Sequence, residues 1–122
     1  MYAFTDHALA DAIVRAANRG QKVRIYRDWQ QYKEEEGRDQ YVAHAFANKP
    51  NIAIRVKGTR DLMHLKEFSD GTIVREGSAN WSPSGEKRQD NSIIVLSDAP
   101  SVEGFESKFN DMWERPNNFK VH

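Results

Sequence analysis

The dipeptide Asp70-Gly71 constrains this chain more than any other feature. Glycine takes positive φ at no steric cost, and aspartate caps its own turn, so the pair is a strong hairpin signal. The segment from Met63 to about Gly77 is therefore expected to fold back on itself. Residues two apart on an extended strand share a face. His64 and Lys66 then project together, and so do Ser78 and Asn80. A reversal at Asp70 gathers an imidazole, an ammonium, a hydroxyl and an amide on one patch. That set suits a phosphate ester, which needs a nucleophile, a fixed positive charge and neutral donors.

The flanking sequence predicts a mixed α/β domain, with a central sheet and helices on both faces. Met1-Tyr2-Ala3-Phe4 reads as a buried strand. Thr5 reads as the N-cap of a helix with a stripe of Leu9, Ile13 and Ala16 or Ala17 that ends at Gly20. Val23 to Tyr26 is a strand, and strand, helix, strand at this spacing implies a parallel βαβ unit. A second helical region is expected from Trp29 to Asn48, with Glu34-Glu35-Glu36 on a solvated face. Ile52 to Lys57 is a strand, and Ser92 to Leu96 is expected to be a buried one. Pro100 opens a last helix with Val102, Phe105, Phe109, Met112 and Trp113 on its apolar stripe.

At 122 residues the chain is expected to form one domain, residues 1–122. A 39% hydrophobic and 11% aromatic composition is that of an ordinary globular protein. The formal net charge of zero argues against a surface-wide grip on nucleic acid and leaves room for a local basic cleft. The absence of cysteine excludes disulfides and thiolate metal sites. No apolar run is long enough for stable membrane insertion, and no signal-peptide pattern opens the chain, so a soluble protein of unassigned compartment is expected. His7, His44 and His122 are scattered and read as surface or structural residues, and no metal site or cofactor is expected.

The order His64-x-Lys66, acidic turn, Gly77-Ser78-Ala79-Asn80-Trp81-Ser82, polar loop, apolar strand resembles the phospholipase D superfamily. Tyr2-Ala3-Phe4-Thr5, Arg19-Gly20-Gln21-Lys22-Val23 and Phe105 to Trp113 extend the likeness to its short, single-motif members. These include small bacterial endonucleases and the mitochondrial cardiolipin hydrolase type. The resemblance implies that His64 attacks phosphorus and forms a phosphohistidine. It implies that Lys66, Ser78 and Asn80 bind the phosphoryl oxygens and that Asp90 orients the histidine. Neutral imidazole is a competent nucleophile near neutral pH, and fixed donors stabilise the pentacoordinate state without reorganising. One motif supplies one histidine, whereas the two-step reaction uses two, so a homodimer sharing its active site across a two-fold axis is expected.

Two departures from the family pattern bear on this reading. Three residues separate Lys66 from Asp70, where the pattern has four. A one-residue change in pairing turns side chains to the other face, so a bulge is needed to keep the two pairs together. Short members also carry a helix and a full first strand ahead of Met1-Tyr2-Ala3-Phe4. The chain is thus expected to be an N-terminally shortened form or the second half of a longer enzyme. The leading expectation is a metal-independent phosphodiesterase. Nucleic acid is favoured over a phospholipid headgroup, because Arg55, Lys57, Arg60, Arg75, Lys87 and Arg88 flank the motif. The competing expectation is a catalytically degenerate phosphate-binding or scaffolding module.

Overall fold

The structure, a computed structural model, describes residues 1–39, 41–46 and 48–121. The first helix, α1 (His7–Asn18), is capped by Asp6, whose carboxylate accepts from the Ala8 and Leu9 backbone amides. The cap is thus one residue later than Thr5. A glycine is required at position 20, where the chain leaves α1 with φ of 88°. Strand β1 (Val23–Arg27) follows and leads into α2 (Trp29–Glu36). Helix α2 stops at Gly37, well short of the expected Asn48, and a 3-10 turn over Val42–Phe46 completes the connection. Gln40 and Ala47 of that expected helix lie outside the described residues, as does His122.

Strand β2 (Ile52–Val56) runs parallel to β1, with Val23 opposite Ile52 and Arg27 opposite Val56. The parallel βαβ unit is thus β1, α2 with the 3-10 turn, and β2, and not the expected unit of Met1–Phe4, α1 and β1, since among the described residues Phe4 forms only an isolated bridge, to Trp81. A short β6 (Phe119–Lys120) pairs antiparallel on the far side of β2. A second three-stranded sheet has the order β3 (Phe68–Ser69), β4 (Val74–Gly77), β5 (Ile93–Leu96), all antiparallel. Between β4 and β5 lies the single-turn helix α3 (Pro83–Lys87), capped by Ser82. The last helix, α4 (Ala99–Trp113), starts at an Asp98 cap.

Alternation along β1 sends Ile25 and Tyr26 to opposite faces and so creates two cores. On one face Ile25, Ile52 and Ile54 pack with Met1, Phe4, Ala10, Ala17, Val42 and Phe46. On the other, Tyr26 packs with Met63, Met112 and Trp113. Helices thus cover both faces of the β1–β2 sheet, and the α/β class is as the sequence indicates.

The segment Met1–Phe4 joins the two sheets. The Met1 amino group donates to the Tyr26 carbonyl at 2.6 Å, and the Tyr2 amide donates to the Leu65 carbonyl at 2.9 Å. Phe4 forms a parallel bridge with Trp81. Glu35 locks this segment in place. The expected solvated face is correct for Glu34, but Glu35 is buried, pairs with Arg27 at 2.5 Å and accepts the Phe4 amide at 3.1 Å. Strand β5 also departs from expectation. It is the end strand of its sheet, and Ile93, Ile94 and Val95 are each at least half exposed.

Candidate active site

The hairpin forms where Asp70-Gly71 indicates. The Asp70 carboxylate accepts from the Thr72 and Ile73 amides and from the Thr72 hydroxyl. These three donors hold its carboxyl below the ordinary value. Gly71 takes φ of 89°, which a residue with a Cβ rarely adopts. The ladder is short, with Phe68 opposite Arg75 and Ser69 opposite Val74. Ahead of Phe68 the first arm leaves the ladder, so Met63 to Glu67 run beside Met1–Phe4 instead of beside β4.

Two backbone clamps hold His64 in place. Before it, the Met63 amide donates to Asp28 Oδ1 at 2.8 Å, while Asp28 Oδ2 caps α2. After it, the Leu65 carbonyl receives the Tyr2 amide. The imidazole itself is exposed and stands edge-on to the Tyr2 ring, with 4.6 Å between centroids.

Lys66 is only 5% exposed. Its ammonium donates to the His64 carbonyl at 2.8 Å and lies 5.0 Å from the Tyr2 ring centroid. Among the described residues no carboxylate pairs with it. Burial alone pushes its pKa below the ordinary lysine value. A buried ammonium without a carboxylate beside it favours an arriving anion, because buried charges are otherwise paired.

The second half of the motif reaches the same central segment. The Trp81 amide donates to the Ala3 carbonyl, and the Trp81 carbonyl accepts from the Thr5 and Asp6 amides. Asn80, one residue before, makes no side-chain hydrogen bond among the described residues, and its Oδ1 is buried without a partner. That oxygen is an acceptor and does not meet a phosphoryl oxygen; the amide's Nδ2 donor is the end that can bind an anion. Its position depends on Gly85, since a Cβ there would stand 2.6 Å from the Asn80 carbonyl oxygen.

Ser78 is engaged elsewhere. Its hydroxyl donates to Asn91 Oδ1 at 2.8 Å and accepts the Ser92 amide at 3.1 Å, so it ties β4 to the start of β5. Asp90 is exposed and makes no hydrogen bond to the imidazole. The structure therefore brings His64 and Lys66 together around Tyr2 and sets Asn80 on the same seam. Ser78 and Asp90 lie to the side of it.

Two of the six expected groove cations, Arg75 and Arg55, are tied into the fold. Arg75 is buried, donates to the Lys66 carbonyl at 3.0 Å and pairs with Glu86 at 3.2 Å. Arg55 stacks on Trp113 and donates to its carbonyl. Arg60 lies over the Trp29 ring, while Lys87 and Arg88 are exposed. His7 and His44 are exposed. A separate cleft of about 220 Å³ lies between β4 and α4 and is lined by Glu67, Glu76, Phe105 and Lys108, away from His64. No cluster of His, Asp and Glu among the described residues could hold a metal ion.

Sequence reading alone misses Tyr2 and Asp28 at this site, and it takes Arg75 for a groove cation. The signal for Tyr2 was its place in a strand read only as buried. Asp28 offered a signal as the residue ahead of α2, where a cap is expected.

The model of the family described as cardiolipin synthase, PLD-like domain, matches residues 1–113. The chain belongs to the phospholipase D-like family. A mitochondrial cardiolipin hydrolase of Chlamydomonas reinhardtii is 26% identical over 116 residues, covering 93% of this chain and 49% of that protein. One from Xenopus tropicalis is 25% identical and is 52% covered. The chain thus spans about half the length of the curated relatives it matches. Among solved structures, NucT from Helicobacter pylori superposes with a TM-score of 0.83 at 25% identity, covering 99% of this chain and 79% of that one. Nuc from Salmonella typhimurium, titled a phospholipase D family member, shares the fold with a TM-score of 0.78 at 23% identity and covers 99% of this chain and 78% of that one. No described helix is long and apolar enough to cross a membrane.

Proposed function

We propose that this phospholipase D-like chain is one half of a metal-independent phosphodiesterase that works through a phosphohistidine. The observation that carries the reading is the pairing of an exposed, backbone-clamped imidazole with a buried, carboxylate-free ammonium on one segment. Lys66 binds a phosphoryl oxygen, and the Asn80 amide binds another. A ring nitrogen of His64 attacks phosphorus while the bond to the leaving alkoxide breaks. The partner subunit's copy of the histidine gives its proton to that alkoxide. Water then attacks phosphorus, the histidine of the partner takes the water's proton, and the P–N bond breaks. The active unit is a homodimer, because the single H-x-K motif supplies one histidine per chain and the two-step reaction uses two. Ser78 serves through the β4–β5 tie that sets the height of Asn80.

Nucleic acid is the proposed substrate class, supported by Arg60 on Trp29 in the loop that leads to His64 and by exposed Lys87 and Arg88 beside α3. A phospholipid headgroup is the second reading. Leu62 and Phe68, exposed by 59% and 38%, flank His64 and Lys66, and the sequence relatives are named as cardiolipin hydrolases. Turnover of bis-p-nitrophenyl phosphate in excess EDTA, compared with His64→Ala, tests the chemistry. Loss of turnover in the variant supports catalysis by His64. Equal background in both identifies a phosphate-binding module. Single-stranded DNA and cardiolipin vesicles, supplied to the same enzyme, separate the two substrate classes. Sedimentation tests the dimer, and a fully active monomer at micromolar concentration contradicts it.

A further inference from the structure

We propose that Tyr2 is a positioning residue for the hydrolytic pair, its ring orienting the His64 imidazole and holding the Lys66 ammonium beside it. The proposal rests on the phosphodiesterase reading and assigns a role to a residue outside the H-x-K and G-S-x-N elements. Tyr2 is fixed at both ends. Its amide is bonded to the Leu65 carbonyl at 2.9 Å, and its hydroxyl accepts from Gln31 Nε2 at 3.3 Å on α2. The backbone contact sets where the ring stands, and the hydroxyl contact at 3.3 Å adds a weak second hold. The ring meets the imidazole at 4.6 Å and an interplanar angle of 63°, in edge geometry, and it meets the Lys66 ammonium at 5.0 Å.

Each contact addresses a specific weakness. An exposed imidazole otherwise hops between rotamers on the ps–ns scale, and an aromatic wall removes that freedom. Lys66 faces the Met1 amino group and the Arg75 guanidinium that holds its own carbonyl. Glu67, next in the chain, lines the cleft under α4. The negative face of the Tyr2 ring therefore offsets part of the cost of keeping this ammonium charged out of water. The ring stands on the imidazole side of Lys66, so one residue sets the spacing of both groups.

Replacing Tyr2 with phenylalanine and then with mono-, di- and trifluorophenylalanine keeps the shape and withdraws the ring's negative face step by step. Lysine-selective NMR follows the Lys66 amine, and bis-p-nitrophenyl phosphate hydrolysis follows turnover. Tyr2→Phe is expected to keep kcat within about 2-fold, and the trifluoro ring to lower kcat by about 10-fold with KM nearly unchanged. The Lys66 amine should lose its proton at progressively lower pH across the series, since the charged form loses its support. Tyr2→Leu, which lacks any ring, should lower kcat at least as far as the trifluoro variant. A Lys66 titration that does not move across the series overturns the assignment whatever the turnover. A graded titration together with wild-type turnover that does not need His64 overturns the phosphodiesterase reading, and the role of Tyr2 with it. A graded titration with graded kcat supports both.

Discussion

Glu35→Ala probes the ion pair that holds the Met1–Phe4 segment. Arg27 would remain buried at 1% exposure with the Met1 and Tyr2 carbonyls, at 3.2 and 3.3 Å, as its hydrogen-bond acceptors among the described residues. Removing one partner of a buried pair costs about 3–5 kcal/mol, and those two carbonyls favour the lower end. The Phe4 amide also loses its acceptor, at about 1–3 kcal/mol. The two costs overlap at one site, so a total of about 4 kcal/mol is expected, a large share of a typical domain stability of about 5–15 kcal/mol. With a urea slope of about 2 kcal/mol per molar, the unfolding midpoint should fall by about 2 M. Arg27→Met should cost a similar amount. The double variant Arg27→Met with Glu35→Leu should cost less than the sum of the singles by about 2 kcal/mol, because neither charge is then stranded. Urea titrations by circular dichroism measure all three. A midpoint shift below about 0.5 M in Glu35→Ala, or strictly additive singles, refutes the claim that this pair anchors the seam.

Lys66→Met should end turnover yet raise the melting temperature by a few degrees near neutral pH, since it removes a buried unpaired charge. The pH dependence has a fixed sign. The folded-state pKa of Lys66 lies below its unfolded value, so between the two the unfolded chain holds more protons. Wild-type stability should therefore rise with pH from the lowered value toward about 10.4, and Lys66→Met should lose that rise in a series of thermal melts. Gly85→Ala places a Cβ 2.6 Å from the Asn80 carbonyl oxygen, and α3 must move away from it. Destabilisation of about 1–3 kcal/mol and at least a 10-fold drop in kcat are expected from melts and steady-state kinetics. Ser78→Ala should cost about 1 kcal/mol through the lost ties to Asn91 and Ser92. It should keep kcat within about 5-fold, whereas a direct phosphate role would cost more.

The parts of the fold legible in the sequence are those whose cause is local. The Asp70-Gly71 turn, the α4 stripe and the glycine after α1 each depend on neighbours a few residues away. Glu35 was misread because its partners, Arg27 and the Phe4 amide, sit on other elements. β5 was misread because an unbroken apolar run normally signals a strand covered on both faces, and here it is the edge. At the site, the sequence set His64 and Lys66 two residues apart on one extended segment, and both side chains meet the Tyr2 ring. The sequence could not show that the first arm would leave its ladder for Met1–Phe4, because that choice follows from packing against α2 and β1. For the same reason Ser78 looked like a ligand, while its hydroxyl answers to Asn91, thirteen positions along.

The seam at Met1–Phe4 has a consequence for how the molecule matures. Residues 23–56 and 68–96 can each form a sheet from contacts within their own stretch, whereas His64, Lys66 and Asn80 acquire their arrangement only when the first four residues dock between them. On the proposed phosphodiesterase reading, a copy whose first four residues are undocked is therefore expected to be inert, because the arrangement of His64, Lys66 and Asn80 belongs to the docked state.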